Sequence, residues 1–241
     1  MEIILRNAKE NPTFLSLGEN ELHIWEWSCP EKWQIGEGMK QLIPEEREKA
    51  ERFLHPKVRE QFVVARAGLR KLLAAYLQIP PLEVPIEYGF NGKPELAQAF
   101  GAWQFNLSHS EGQVALGIIK QRRIGIDLEK IREIKNIPSL VKRFFCPAEI
   151  ALFDGLSEKE QNQQFLEVWT CKEALLKGIG RGIHGLESSE LIFGKDDTIR
   201  VHRLNDPQNR DYPWQIRKYM REPCWLLAVA WEDSHEAVIG R

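Results

Sequence analysis

The run Arg123-Ile124-Gly125-Ile126-Asp127-Leu128-Glu129-Lys130 constrains this chain more than any other stretch. Ile124, Ile126 and Leu128 alternate with Gly125, Asp127 and Glu129. In an extended strand that alternation sends the apolar set to one face and both carboxylates to the other. Two like charges on one face repel unless something positive lies between them. A divalent cation that prefers oxygen ligands is the simplest such group. The competing reading is a solvated strand edge, the usual fate of an Asp-x-Glu pattern.

Composition narrows the alternatives. A chain of 241 residues supports one large domain or two small ones, either with a real core. The formal net charge of -2 marks the whole molecule as neither a nucleic-acid nor a membrane binder, so any anion site must be a local cluster. No apolar run approaches the roughly 20 residues that span a bilayer, and the N-terminus lacks a signal-peptide layout. Cys29, Cys146, Cys171 and Cys224 are far apart and form no C-x-x-C pair. We read them as reduced thiols of a cytoplasmic protein, and Cys171 as a packed thiol with no base to activate it.

Periodicity places the elements. A strand is expected over Leu22 to Trp27. Pro44 with Glu45 and Glu46 starts a helix that His55-Pro56 interrupts, and a long helix follows to Leu77. Phe62, Ala65, Leu69, Leu72 and Leu73 form its apolar stripe. Arg59, Arg66 and Arg70 on that helix form a basic strip, or else face solvent or pair with Glu60 and other acids. Strands are expected at Glu83 to Tyr88, Gln104 to Ser108 and Gln113 to Ile119. The turn Gly89 to Pro94 presents Lys93, and Ser108-His109 stands at a strand end. Ser157-Glu158-Lys159-Glu160 has the capping-box form and opens a second long helix to Lys177. On it Trp169, Glu173 and Lys177 share a stripe, whereas Leu166, Ala174 and Leu175 face a core. Strands close the chain at Ser189 to Phe193, Thr198 to Arg203, Trp214 to Lys218 and Trp225 to Trp231, with a frayed end over Asp233 to Arg241.

Each half thus runs through helical segments to one long helix and then into strands. We expect an α+β protein of two similar subdomains related by a pseudo-twofold, each with a long helix on an antiparallel sheet. The expected division is residues 1–120 and 121–241.

At this point the sequence resembles a known family. Ile124-Gly125-Ile126-Asp127-x-Glu129 followed by Trp169-x-x-Lys172-Glu173-Ala174-x-x-Lys177 is similar to the signature of 4′-phosphopantetheinyl transferases, in the larger Sfp-type branch. Pro44-x-x-Arg47-x-Lys49, Gly92-Lys93-Pro94 and Asn106-Leu107-Ser108-His109-Ser110 match as well. The resemblance implies transfer of the phosphopantetheine arm of coenzyme A to a serine of an acyl or peptidyl carrier protein, releasing adenosine 3′,5′-bisphosphate. It implies Asp127, Glu129 and Glu173 as Mg²⁺ ligands, with Mn²⁺ acceptable to the same oxygens, and Glu173 also as general base. Lys177 then meets the diphosphate, Lys93, Ser108 and His109 hold coenzyme A phosphates, and Lys49 meets the 3′-phosphate.

Two positions depart from the family's best-known pattern. Glu46 stands where a lysine is expected, which leaves Arg59 or Arg66 to supply the missing cation. Leu128 is apolar, so a water must complete the metal's coordination. The segment from Lys130 to Phe145 combines Lys130, Arg132, Lys135, Lys142 and Arg143 with Ile131, Ile134, Ile137 and Leu140. It reads as a docking surface for an acidic carrier or as an ordinary amphipathic connector. A monomer is expected. The alternatives are a metal-dependent hydrolase of coenzyme A and a binding module without activity. A serine hydrolase built on Ser108 and His109 is disfavoured, because strand neighbours point to opposite faces.

Overall fold

The computed structural model describes residues 1–7, 14–28, 35–89, 92–194, 198–208 and 213–233. In the first half, strands β1 (Glu2–Asn7) and β2 (Glu21–Ser28) lead into helices α1 (Ile35–Lys40), α2 (Pro44–Glu51) and α3 (Pro56–Leu77). A small hairpin of β3 (Ile86–Tyr88) and β4 (Pro94–Leu96) precedes a longer one of β5 (Trp103–Ser110) and β6 (Gln113–Lys120). The second half begins with β7 (Ile124–Lys130), then α4 (Ile137–Phe144), α5 (Pro147–Ile150) and α6 (Glu158–Gly178). It ends in β8 (Glu190–Phe193), β9 (Ile199–Arg203), β10 (Trp214–Arg221) and β11 (Trp225–Glu232).

The long helices start and stop where their sequence says. Pro56 occupies the first position of α3, where a missing N–H costs nothing, and Gln78 closes it in the left-handed region at φ 57°. At the start of α6 the Glu160 carboxylate accepts the Ser157 N–H at 2.8 Å.

Each long helix lies on a sheet. Leu69, Leu72, Leu73 and Tyr76 of α3 pack with Trp25, Phe105, Leu116 and Ile118. Cys171, Ala174 and Leu175 of α6 pack with Trp214, Ile216, Ala228 and Ala230. The first sheet runs β1-β2-β6-β5 and the second β7-β11-β10-β9-β8. In both, the half's leading strand (β2, β7) pairs antiparallel with its last strand (β6, β11), which pairs antiparallel with the one before. That shared plan is the doubled α+β build expected from the sequence. One detail differs: β1 pairs with β2 in parallel, so the first sheet is mixed and not wholly antiparallel.

The halves share a third core. Leu22, Ile24, Ala115 and Ile119 of the first sheet meet Ile124, Ile126, Leu128, Leu227 and Val229 of the second. Along one border β5 lies beside β7, and side chains replace the backbone ladder between them. Asn106 Oδ1 accepts the Ile126 N–H at 2.8 Å, and Ser108 Oγ accepts the Leu128 N–H at 3.2 Å. Both links span a separation of 20 positions, so the two strands run parallel. The expected frayed end beyond Asp233 and the tip of the Gly89 to Pro94 turn lie outside the described residues.

Candidate active site

The seam between β5 and β7 is where the chemistry-bearing residues meet. The apolar side chains of β7 enter the core between the sheets, which turns Asp127 and Glu129 towards α6. The strand is no solvated edge: Asp127 is only 4 % exposed. Its Oδ1 accepts Ser108 Oγ at 3.0 Å and Lys177 Nζ at 2.6 Å. Its Oδ2 is buried without a hydrogen-bond partner. An orphaned carboxylate oxygen in the interior costs about 1–3 kcal/mol unless something positive satisfies it.

Glu129 and Glu173 flank this group, both half-buried. Ser110 Oγ lies 3.5 Å from Glu129 Oε2. Burial pushes both glutamates above the ordinary carboxylate range. Asp127 raises both further, and Glu129 adds to Glu173. Glu129 and Glu173, each raised by Asp127, form with it a field built for a cation. In the structure Lys177 partly fills that role. Among the described residues, no three His, Cys, Asp or Glu side chains are arranged to hold a metal ion as they stand. The oxygen donors and the orphaned Oδ2 fit a hard divalent ion if Lys177 gives way.

The other expected residues divide between this cluster and its surroundings. Ser108 belongs to the cluster: its hydroxyl bridges Asp127, Lys177 and the Leu128 N–H. His109 is exposed near the end of β5, and burial by the surrounding protein, followed by Lys177 and Arg66, lowers its pKa. Lys93 is not drawn to the carboxylates. Its Nζ donates to Gly178 O at 3.1 Å and Ile124 O at 3.3 Å, tying its turn to the second half. Burial lowers its pKa to about 8. A cavity of about 560 Å³ opens on that side, lined by Lys93, Gln104, Arg122 and Gly178 among others. Lys49 is exposed, with Nζ 5.5 Å and 5.8 Å from the ring centres of Phe62 and Tyr88. Arg66, which the sequence left between solvent and pairing, is buried against the same rings, and Glu46 is buried beside it.

Trp169 earns its place on the Glu173–Lys177 stripe by packing against Phe144 and Phe165. Cys171 is fully buried, and burial raises its pKa to about 12, which leaves it no nucleophilic role. Two groups that hold the site were not foreseen. Asn106 clamps β7 to β5. Lys172 is fully buried against Glu149 at 2.5 Å and ties α6 to α5 and to the Ser189 carbonyl. Asn106 alternates with Ser108 and Ser110 on β5, a polar row that signals a seam. No local pattern joins Glu149 to Lys172, 23 positions away.

Comparison with known proteins agrees with this geometry. Residues 123–229 match the family model described as the 4′-phosphopantetheinyl transferase superfamily, and residues 25–119 match that of a 4′-phosphopantetheinyl transferase N-terminal domain. The chain is 38% identical over 234 residues to 4′-phosphopantetheinyl transferase HetI of Nostoc sp. (strain PCC 7120), covering 95% of this chain and 91% of that one. It is 35% identical to a putative 4′-phosphopantetheinyl transferase of Synechocystis sp. (strain PCC 6803), over 85% of each chain. To 4′-phosphopantetheinyl transferase Sfp of Bacillus subtilis it is 28% identical, over 78% of this chain and 81% of the other. With both halves matched and the Nostoc relative aligned nearly end to end, the chain belongs to the 4′-phosphopantetheinyl transferase superfamily, in its Sfp-like branch.

Proposed function

We propose that the protein uses Mg²⁺ to transfer the 4′-phosphopantetheine arm of coenzyme A to a serine of acyl or peptidyl carrier proteins, leaving adenosine 3′,5′-bisphosphate. The observation that carries this reading is the buried Asp127 carboxylate, half satisfied by Ser108 and Lys177 and half orphaned, with two half-buried glutamates beside it. Asp127, Glu129 and Glu173 would hold the cation, which when bound neutralises the diphosphate oxygens. Lys177 then leaves Asp127 and turns its charge to the diphosphate. Glu173, half-buried beside Asp127, would also accept the proton of the carrier serine, directly or through a water. Ser108 and His109 line the phosphate path, Lys93 supports it from the turn, and Lys49 serves the 3′-phosphate.

We place the division of the chain between residues 120 and 121, where β6 ends and the second sheet begins. Among the described residues no helix is long and apolar enough to cross a membrane. A cytoplasmic monomer is the reading we adopt. For carrier docking we favour the exposed Arg132, Lys135, Lys142 and Arg143, because Ile137 and Val141 of the same segment are buried against Phe165 and Val168. This segment offers a partner exposed charge, with Ile131, Ile134 and Leu140 only half-buried beside it.

Incubation with coenzyme A, Mg²⁺ and a panel of apo-carrier domains, followed by mass spectrometry of the carriers, tests the function. Adducts of phosphopantetheine mass are expected, and their absence from every carrier would refute it. Coenzyme A turnover without any carrier would instead favour a hydrolase. Glu173→Gln should abolish the adduct and keep the fold.

A further inference from the structure

His23 is a buried titratable group that the transfer chemistry does not use. It stands on β2, fully withdrawn from solvent, and its ring meets α3. His23 Nδ1 lies 2.6 Å from Tyr76 Oη, and Trp25 Nε1 donates to the same oxygen at 2.8 Å. An indole nitrogen only donates, so the Tyr76 hydroxyl accepts from Trp25 and has its own hydrogen to place elsewhere. Among the described residues His23 Nδ1 is the one acceptor bonded to that hydroxyl. We therefore assign Nδ1 as the bare nitrogen and give the neutral ring its proton on Nε2.

The rest of the surroundings make a second proton costly. Nε2 is buried 3.3 Å from Glu21 Oε2 without a hydrogen bond between them, and that oxygen accepts the Gly18 N–H at 2.8 Å. Arg6 of β1 stands with its guanidinium 5.6 Å from the Trp25 ring centre, its Nε buried and unpaired. The strands on either side place Ile4 and Ile118 opposite His23. Among the described residues, Glu21, Arg6 and Tyr76 are thus the charged or titratable groups that face the ring. A proton on Nδ1 would point an N–H at the Tyr76 oxygen and strand the hydroxyl hydrogen among Leu72, Leu73 and Ile118. Burial first, and then Arg6, lowers the pKa of His23, with Glu21 opposing them.

We propose that His23, Trp25 and Tyr76 form an acid-operated latch between β2 and α3, closed while the imidazole is neutral and loosened when the ring takes a second proton. None of its bonds involves the carboxylates of the seam. The fold favours the neutral ring, so the latch contributes its full stability above the ordinary histidine value of 6.5 and loses it as pH falls below that value. That slope is opposite in sign to the one from Glu129 and Glu173, whose contribution falls as pH rises. The same helix carries Arg70, bonded to Glu46 of α2, so a loosened α3 carries α2 with it.

The test needs neither coenzyme A nor a carrier. Thermal melts of the whole protein at about pH 7.5 and about pH 5.5 bracket the ordinary value of 6.5. Wild type should lose a few degrees of Tm more than Tyr76→Phe over that interval. The phenylalanine removes both the bond that keeps the ring neutral and the hydroxyl that a second proton would strand. His23→Asn, whose amide oxygen accepts from Tyr76 but does not titrate, should likewise lose less than wild type. His109, Glu129 and Glu173 titrate in all three proteins, so the differences belong to His23. If a variant does not fold, nitrogen NMR of the histidine rings in wild type still decides. Nδ1 should be bare and Nε2 protonated at neutral pH, with the ring titrating below 6.5. A neutral ring protonated on Nδ1, or one that titrates at or above 6.5, overturns the proposal. Equal losses of Tm in wild type and the folded variants overturn it as well, since a merely structural histidine would leave the curves parallel.

Discussion

Asp127 is satisfied by the protein on one oxygen and left unpaired on the other, where we propose that a cation binds. One oxygen is held by Ser108 and Lys177, and the other is buried and waiting. Lys177 is therefore a tethered cation in the place of a free one. Lys177→Met should lower the stability of the metal-free protein by about 1–3 kcal/mol, because Asp127 Oδ1 loses its charged donor. Mg²⁺ should then raise Tm more in the variant than in the wild type, since the competing amine is gone; calorimetric melts without Mg²⁺ that coincide for both would contradict this. Glu129 and Glu173 add a pH dependence. Their folded pKa values lie above the ordinary 4.5, so their contribution to stability is full below that value and is lost as pH rises through the raised ones. The metal-free protein should weaken over that window while bound Mg²⁺ offsets the loss. The Mg²⁺-induced shift in Tm should thus grow as pH rises above 4.5, and a shift independent of pH would count against the three-carboxylate site. Asp127 and Glu129 were legible in the sequence as a one-faced pair because alternation on a strand is a strong local signal. For Arg66 the sequence offered pairing with an acid without naming Glu46 as that acid, because only the fold brings the two helices together and stacks Arg66 on Phe62 and Tyr88.

Elements were legible in proportion to their length and contrast. α3 and α6 announced themselves through caps and apolar stripes, and β5, β6, β7 and β11 through alternation or apolar runs. β4 has three residues and begins with proline, so no period could show it. β1 went unread because Glu2 and Asn7 flank only a short apolar run, and its parallel partner lies beyond a stretch of chain without regular pattern. The packing of α6 on β7 depends on a residue whose role the sequence hid. A Cβ on Gly125 would stand 1.9 Å from Ala174 O and 2.3 Å from Gly178 N, both backbone atoms. Gly125→Ala must push α6 off the strand that carries Asp127, and a loss of about 3 kcal/mol is expected. Gly92→Ala meets open space and only a φ of +72°, so its loss should be about 1 kcal/mol. Urea melts that order the two variants the other way would show that backbone strain, not the helix–strand contact, governs this region.

At the scale of the molecule the two halves repeat one plan without surviving as separate bodies. The leading strand, long helix and closing hairpin recur in the same order, which the sequence displayed as a repeated succession of patterns. What it could not display is how the copies join, because the shared core pairs Ile24 and Ile119 with Ile126 and Leu227 across distant stretches of the chain. Polar ties reinforce that core. Glu26 of β2 accepts Arg221 Nε of β10 at 2.9 and 3.0 Å, and Lys93 reaches across to Gly178. The cluster of Ser108 from one half with Asp127 and Lys177 from the other needs this rigidity, since Ser108 stays on Asp127 only while the sheets stay in register. The halves should consequently unfold together. Leu227→Ala, which opens a cavity in the shared core, should cost about 2–5 kcal/mol. The loss should appear equally in the hydrogen exchange of α3 and of α6, although Leu227 lies in the second sheet and neither helix is part of the core it lines. If α6 alone became unprotected while α3 kept its protection, the halves would be independent folding units, and the seam would be a contact between domains rather than the spine of one.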